Sequence, residues 1–192
     1  MTSIIRPRTV ASTAVAAVLV LVLTACAPDK TPSPVVAADT SDPPPYASGD
    51  EALIAAQSSY EQFMAVANKI MAEGGADPDR LDAVASPEIA SGEKEGFEGF
   101  AERKLTVGGG STITNAVLQS YSPSSTDGKG IITAYFCVNV SGVTVVDETG
   151  VSIVPSTRPD ATPFEVVFDL VQKNPPQLVV SAKNVWAGEG IC

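Results

Sequence analysis

"FEVVFDLV", residues 164–171, is the stretch from which the fold can be read. Phe164, Val166, Phe168 and Leu170 share one face of an extended chain, and Glu165 and Asp169 fall on the other. Successive side chains of a β-strand point to opposite sides, so one face is written for a core and the other for water. That is the pattern of an antiparallel sheet covered on one side, and it predicts both acids toward solvent.

Working outward, "NPPQ" at 174–177 turns the chain, and Leu178 to Trp186 supplies a last strand. Upstream, the loop "STRPDATP" precedes the alternating strand. The run "IITAYFCVNVSGVTVV" from Ile131 to Val146 is too long for one flat strand, and Ser141-Gly142 is where a bulge or bend is expected. "DETG" at 147–150 reads as a hairpin turn before a short strand around Val151 to Val154. "TITNAVLQSY" at 112–121 is a further strand, ending at the turn region "SPSSTDGKG". "VGGGST" at 107–112 lacks the lysine and the strand-to-helix setting of a phosphate loop, and reads as a mobile turn between strands.

Before the strands lie helices. Leu53, Ala56, Tyr60, Phe63, Ala67 and Ile70 recur at steps of three and four, with Met64 and Met71 widening the stripe. Ser48 or Asp50 is the candidate cap, and Gly74-Gly75 the stop. Asp77-Pro78 begins a short second helix carrying Leu81 and Val84, with Asp as cap and Pro at the first helical position. Ser86-Pro87-Glu88 repeats that signature. Gly92, Gly96 and Gly99 weaken the segment from Glu88 to Arg103, which Phe97 and Phe100 pin to the core. Helices followed by a meander of bent strands predict an α+β domain over residues 50–192, with N-terminal helices packed in the concave face of a curved antiparallel sheet.

The first 25 residues are of another kind. Arg6 and Arg8 precede an apolar run from Val10 to Leu23, the layout of a secretory signal and shorter than the roughly 20 apolar residues that span a bilayer. Leu23, Thr24 and Ala25 before Cys26 resemble the lipobox of bacterial lipoproteins. That resemblance implies cleavage before Cys26, a lipid on its sulfur, and a cell-membrane location on the extracytoplasmic face; an ordinary secretory signal with an incidental cysteine is the competing reading. Residues 26–49 carry Pro28, Pro32, Pro34 and Pro43 to Pro45 among small polar residues. This composition favours an extended spacer of about 3.1 Å per residue, hence about 70 Å of reach at most.

The chain has 12 Lys+Arg against 22 Asp+Glu, and loss of Arg6 and Arg8 with the signal leaves 10 against 22, a net charge of −12. This argues against nucleic acid, whose phosphates need a basic face. With Cys26 lipidated, Cys137 and Cys192 remain, and in an exported chain they most simply form a disulfide.

The closing pattern "YFCVNVSGVTVVDETG … RPDATPFEVVFDLV … LVVSAKNVWAGEGIC", with the element order, resembles uncharacterised secreted lipoproteins of Gram-positive bacteria and the cone-shaped nuclear transport factor two-like superfamily. That superfamily includes ketosteroid isomerases and polyketide cyclases as well as pure interaction modules, so fold alone does not select a function. There is no histidine, which removes Ser-His-Asp and Cys-His catalysis and His-rich catalytic zinc sites. Glu93, Glu95, Glu98 and Glu102 lack the loop spacing of a calcium site and read as a solvated face. No cofactor or metal is implied. An isomerase-like mechanism would need a carboxylate and a tyrosine inside the cone. Tyr60, Tyr121 and Tyr135 are the available donors, and Glu165 and Asp169 the available strand acids, although alternation places both acids opposite the phenylalanine face. The favoured expectation is a membrane-tethered, non-catalytic module binding a protein or small ligand. The alternative is a small isomerase-, dehydratase- or cyclase-type enzyme.

Overall fold

The computed structural model describes residues 42–192. The expected signal segment, Cys26 and the expected spacer up to residue 41 lie outside the described residues. In chain order the elements are α1 (Gly49–Ala72), a 3₁₀ turn (Pro78–Ala83), α2 (Pro87–Glu102), β1 (Thr106–Gly108), β2 (Thr112–Tyr121), a second 3₁₀ turn (Thr126–Gly128), β3 (Ile132–Asn139), β4 (Thr144–Val146), β5 (Ala161–Lys173) and β6 (Pro176–Val185). The architecture is α+β, with helices packed on one face of a curved antiparallel sheet.

Four strands form the sheet in the order β2-β3-β5-β6, every neighbouring pair antiparallel. In its centre Phe136 stands opposite Phe164, Ala134 opposite Val166 and Ile132 opposite Phe168. Ile132, Ala134, Phe136, Val166, Phe168 and Val180 are fully buried on the face that receives α1. The helix lays Ala52, Ala56, Tyr60, Phe63, Ala67 and Ile70 onto it, spacings of three and four that keep one stripe aligned along the axis. Each apolar side chain moved from water into this layer contributes about 1.5–3 kcal/mol, which overrides modest local propensities.

The sheet bends because its edge strands carry extra residues. Pairing of β2 with β3 shifts between Ile113 and Asn115 and again between Leu118 and Ser120. Each shift is a bulge, which adds a residue to one strand and increases local twist. That is why the inward residues of β2 are Ile113, Ala116, Leu118 and Tyr121, at steps of three, two and three rather than in strict alternation. A similar shift lets Ser181 bulge from β6, so Lys183 stands beside Val166 on the helix-covered side.

The helix termini follow their local chemistry. Ser48 caps α1, its hydroxyl accepting from the Glu51 amide, and the chain leaves the helix through Gly74 and Gly75 at φ +70° and +87°. Ser86 caps α2 in the same way, accepting from the Ile89 amide, with Pro87 in the first turn. The three glycines do not break α2, which is held by this cap and by buried Ala90 and Phe97.

Several local expectations are corrected. Asp77 does not cap a helix: it takes a left-handed conformation at φ 49°, makes no side-chain cap, and leads into a single 3₁₀ stretch that buries Leu81. Val107 and Gly108 are not turn residues but part of β1, which pairs with β4. The long run from Ile131 does bend at Ser141-Gly142, as expected, but its second half leaves the main sheet for this two-stranded ribbon. Around Val151 to Val154 there is only a bridge between Ser152 and Val146, because the Asp147 side chain folds the turn by accepting from the Thr149 and Val151 amides.

Candidate functional site

The concave side of the sheet is filled with aromatic rings. Tyr60 lies 4.8 Å from Phe136 between ring centroids and 6.0 Å from Phe63, while Phe136 meets Phe168 edge-on at 6.1 Å. Tyr60 is 2% exposed. Burial raises its phenol pKa far above the ordinary value, and the nearby negative charge of Glu93 adds to the effect, so the group stays protonated at neutral pH. Glu93 is not part of a fully solvated acidic face, as its spacing suggested; it pairs with Lys183 and both are half-buried. The Lys183 ammonium also sits 5.3 Å from the centroid of Phe63, within cation–π range. The bulge at Ser181 decides this contact, because unbroken alternation would send Lys183 to the opposite face.

The other residues expected to serve an active site are scattered. Tyr121 is a clasp: its hydroxyl donates to the Tyr46 carbonyl at 2.9 Å and accepts from the Tyr46 amide at 3.0 Å, docking the end of the proline-rich segment on the domain. Asp169 was expected toward solvent and is instead 5% exposed. It lies on the face opposite Phe168, as alternation requires, but the loop before β3 folds over it, donating from the Gly130 amide at 2.8 Å and from the Lys129 ammonium at 2.7 Å. Burial alone would raise its pKa; these two donors and the Ser181 hydroxyl outweigh it and hold the carboxyl below the ordinary range. An acid so engaged is a clamp for a loop and a poor general base.

Tyr135 and Glu165 are direct cross-strand partners, yet on the outer face of the sheet. The Tyr135 phenol is raised in pKa, first by desolvation and then by Glu165. Its ring lies 4.8 Å from that of Trp186, making a half-exposed aromatic pair. Around this pair the outer face continues through Val117, Ser120, Thr133, Val167, Ala182 and Asn184, small or neutral side chains left at least partly open.

One margin of the outer face is covered by the segment that follows β6. After Trp186 it runs through exposed Ala187 to Gly190, returns to bury Ile191, and brings Cys192 to disulfide distance from Cys137, with Cα atoms 5.1 Å apart at a sequence separation of 55. Asn115 of β2 donates to the Ile191 carbonyl at 3.0 Å. Neither Cys137 nor Ile191 belongs to the core under α1. No sequence pattern announced this tail, although Cys192 itself was the signal that something must return to β3.

Neither Tyr60 nor Glu93 lines any of five surface cavities of 210–470 Å³ formed by the described residues; four of these lie around the β5–β6 hairpin and the segment 82–94, and one between α1 and the start of β2. Among the described residues no three metal-ligating side chains converge, and no helix is long and apolar enough to cross a membrane. None of the described residues' buried side-chain nitrogens or oxygens lacks a hydrogen-bond partner.

No family model matches the chain, and no curated protein matches it. Among solved structures it is similar to the intermembrane-space region of the chloroplast protein ARC6, with a TM-score of 0.51 and 11% identity over 71% of this chain and 97% of that one. At that identity the likeness is one of fold, a helix-backed antiparallel sheet. A de novo designed β-sheet protein aligns at a TM-score of 0.34 with 10% identity, over 70% of this chain and 89% of that one, too loosely to bear on the fold.

Proposed function

We propose that this chain is an extracytoplasmic lipoprotein, anchored to the cell membrane through lipid on Cys26, whose domain is a non-catalytic binding module of the nuclear transport factor two-like cone type. The observation that carries this reading is the inversion of the expected site. The concave side, where an enzyme of this shape would hold its substrate, is occupied by Tyr60, Phe63, Phe136 and Phe168. The outer sheet face instead leaves an aromatic pair and small neutral residues open. An outer face whose aromatic pair and small neutral residues surround the carboxylate of Glu165 suits a protein surface better than a small polar substrate, because stacking and apolar contact dominate such a surface. Cys26 supplies the address: two or more acyl chains hold a protein firmly, where one holds marginally.

Two measurements test the reading. Metabolic labelling of a Gram-positive host with an alkynyl fatty acid labels the wild-type protein and not Cys26→Ala; labelling of both refutes the anchor. A photo-crosslinking residue at Thr133 on intact cells gives a discrete adduct, and one at Ile54, exposed on α1, does not. Equal adducts from both positions, or none from Thr133, refute the binding face.

A second reading, a small isomerase-, dehydratase- or cyclase-type enzyme, draws on Tyr60 standing near Glu93. It requires a cavity that reaches them, and turnover by the domain that Tyr60→Phe abolishes is the result that would favour it.

A further inference from the structure

We propose that the Cys137–Cys192 pair is a thiol–disulfide exchange site, opened by a dithiol reductant, that clasps the segment 187–192 over the margin of the outer face. This rests on the binding reading only for its purpose; the exchange chemistry stands on geometry of its own.

The two cysteines are unequally placed. Cys137 is 4% exposed beneath the returning segment, whereas Cys192 is an exposed residue. Which sulfur a thiolate attacks is governed by access. The attack therefore falls on Cys192 Sγ: a reductant thiolate bonds to it, the Cys137–Cys192 bond breaks, and Cys137 leaves as a thiolate that takes a proton from water. The reductant's second thiol then attacks its own sulfur in the mixed disulfide, forming the oxidised reductant and releasing Cys192 as a thiol. Two electrons and two protons pass to the cysteines, and the dithiol becomes a disulfide.

Release of this bond frees the segment because little else holds it. Ala187 to Gly190 are exposed, Gly190 sits at φ +87°, and the remaining attachments are the Asn115 to Ile191 hydrogen bond and the burial of the single Ile191 side chain. Trp186, by contrast, is anchored upstream, its amide donating to the Pro163 carbonyl at 2.9 Å and its ring against Tyr135. The break thus falls between Trp186 and Ile191. It uncovers Cys137, which together with the already exposed Asn115 continues the outer face from Val117 and Tyr135 on the same side of β2 and β3. The core under α1 contains none of the released residues and stays packed.

The test uses the folded, oxidised domain (residues 42–192). With reduced glutathione as the probe, peptide mapping by mass spectrometry places the mixed disulfide predominantly on Cys192. After full reduction by dithiothreitol, Cys137 becomes alkylated by iodoacetamide under native conditions, while amides of β3 and β5 keep their protection in hydrogen exchange. The Cys192→Ser variant, in which the clasp is open without reductant, shows Cys137 alkylated by iodoacetamide under native conditions. A glutathione adduct predominantly on Cys137 would overturn the proposal. So would a Cys137 that stays closed to iodoacetamide after reduction, or loss of exchange protection across the whole sheet, since each means the bond is a structural staple. None of these readouts depends on a crosslink from Thr133, so failure of the clasp and failure of the binding face are told apart.

Discussion

Replacing Asp169 by alanine separates the two bonds that hold the loop before β3. Its carboxylate accepts from the buried side through the Gly130 amide and from the solvent side through Lys129, whose side chain is 71% exposed. Losing the first leaves the Gly130 N–H without its acceptor, which costs about 1–3 kcal/mol. Losing the second forfeits an ion pair screened by water, worth about 0–1 kcal/mol. Asp169→Ala should therefore lower the unfolding free energy by about 1–4 kcal/mol, and Lys129→Ala by less than about 1 kcal/mol. Urea unfolding at neutral pH, with unchanged slope, measures both. The pH dependence has a definite sign. Because the carboxyl is held below its ordinary value in the folded protein, its contribution is present above the unfolded pKa of about 3.9 and is lost as pH falls through the lower folded value. The gap between wild type and Asp169→Ala should thus be constant from about pH 5 to 8 and narrow only in acid. A Lys129→Ala variant as costly as Asp169→Ala would refute the view that the amide bond dominates, and a gap that widens as pH falls through the acid range would refute the sign of the pH dependence.

Three further outcomes can be measured on the same domain. Phe136→Ala removes a fully buried ring that touches both Tyr60 and Phe168, and should cost about 3–5 kcal/mol in chemical denaturation. Gly92→Ala and Gly96→Ala place a methyl in open space on α2 and should each raise stability by about 0.5–1 kcal/mol, whereas Gly109→Ala, at φ +72° against the backbone of Gly142, should destabilise. Tyr121→Phe removes both hydrogen bonds to Tyr46, so hydrogen exchange should quicken at the Tyr46 and Ala47 amides while α1 remains protected.

Much of the architecture is legible in local pattern because that pattern and the core agree. Phe164, Val166 and Phe168 alternate in the sequence and face the core in the fold, and the stripe from Ala56 to Ile70 is the stripe that α1 buries. Caps at Ser48 and Ser86 depend on one hydroxyl and an amide three residues on, so they too can be read without tertiary information. Cys137 and Cys192, left over by count alone, meet at disulfide distance.

The site was not legible in this way. Alternation places Asp169 opposite Phe168, but a strand's period says nothing about what covers its second face, and the Lys129–Gly130 loop that buries the carboxylate arrives from 39 residues away. Lys183 faces the aromatic core only because Ser181 bulges, and a bulge shifts every later side chain to the other face without leaving a mark in composition. The same holds for Tyr60, whose role as filling rather than as a proton donor depends on Phe136 and Phe168 arriving from two strands. Periodicity and capping are short-range, so the chain alone settled which elements form and which faces are apolar. Which polar groups are buried, and which face of the sheet is left open, depends on contacts between residues far apart in sequence, and those were decided only by packing.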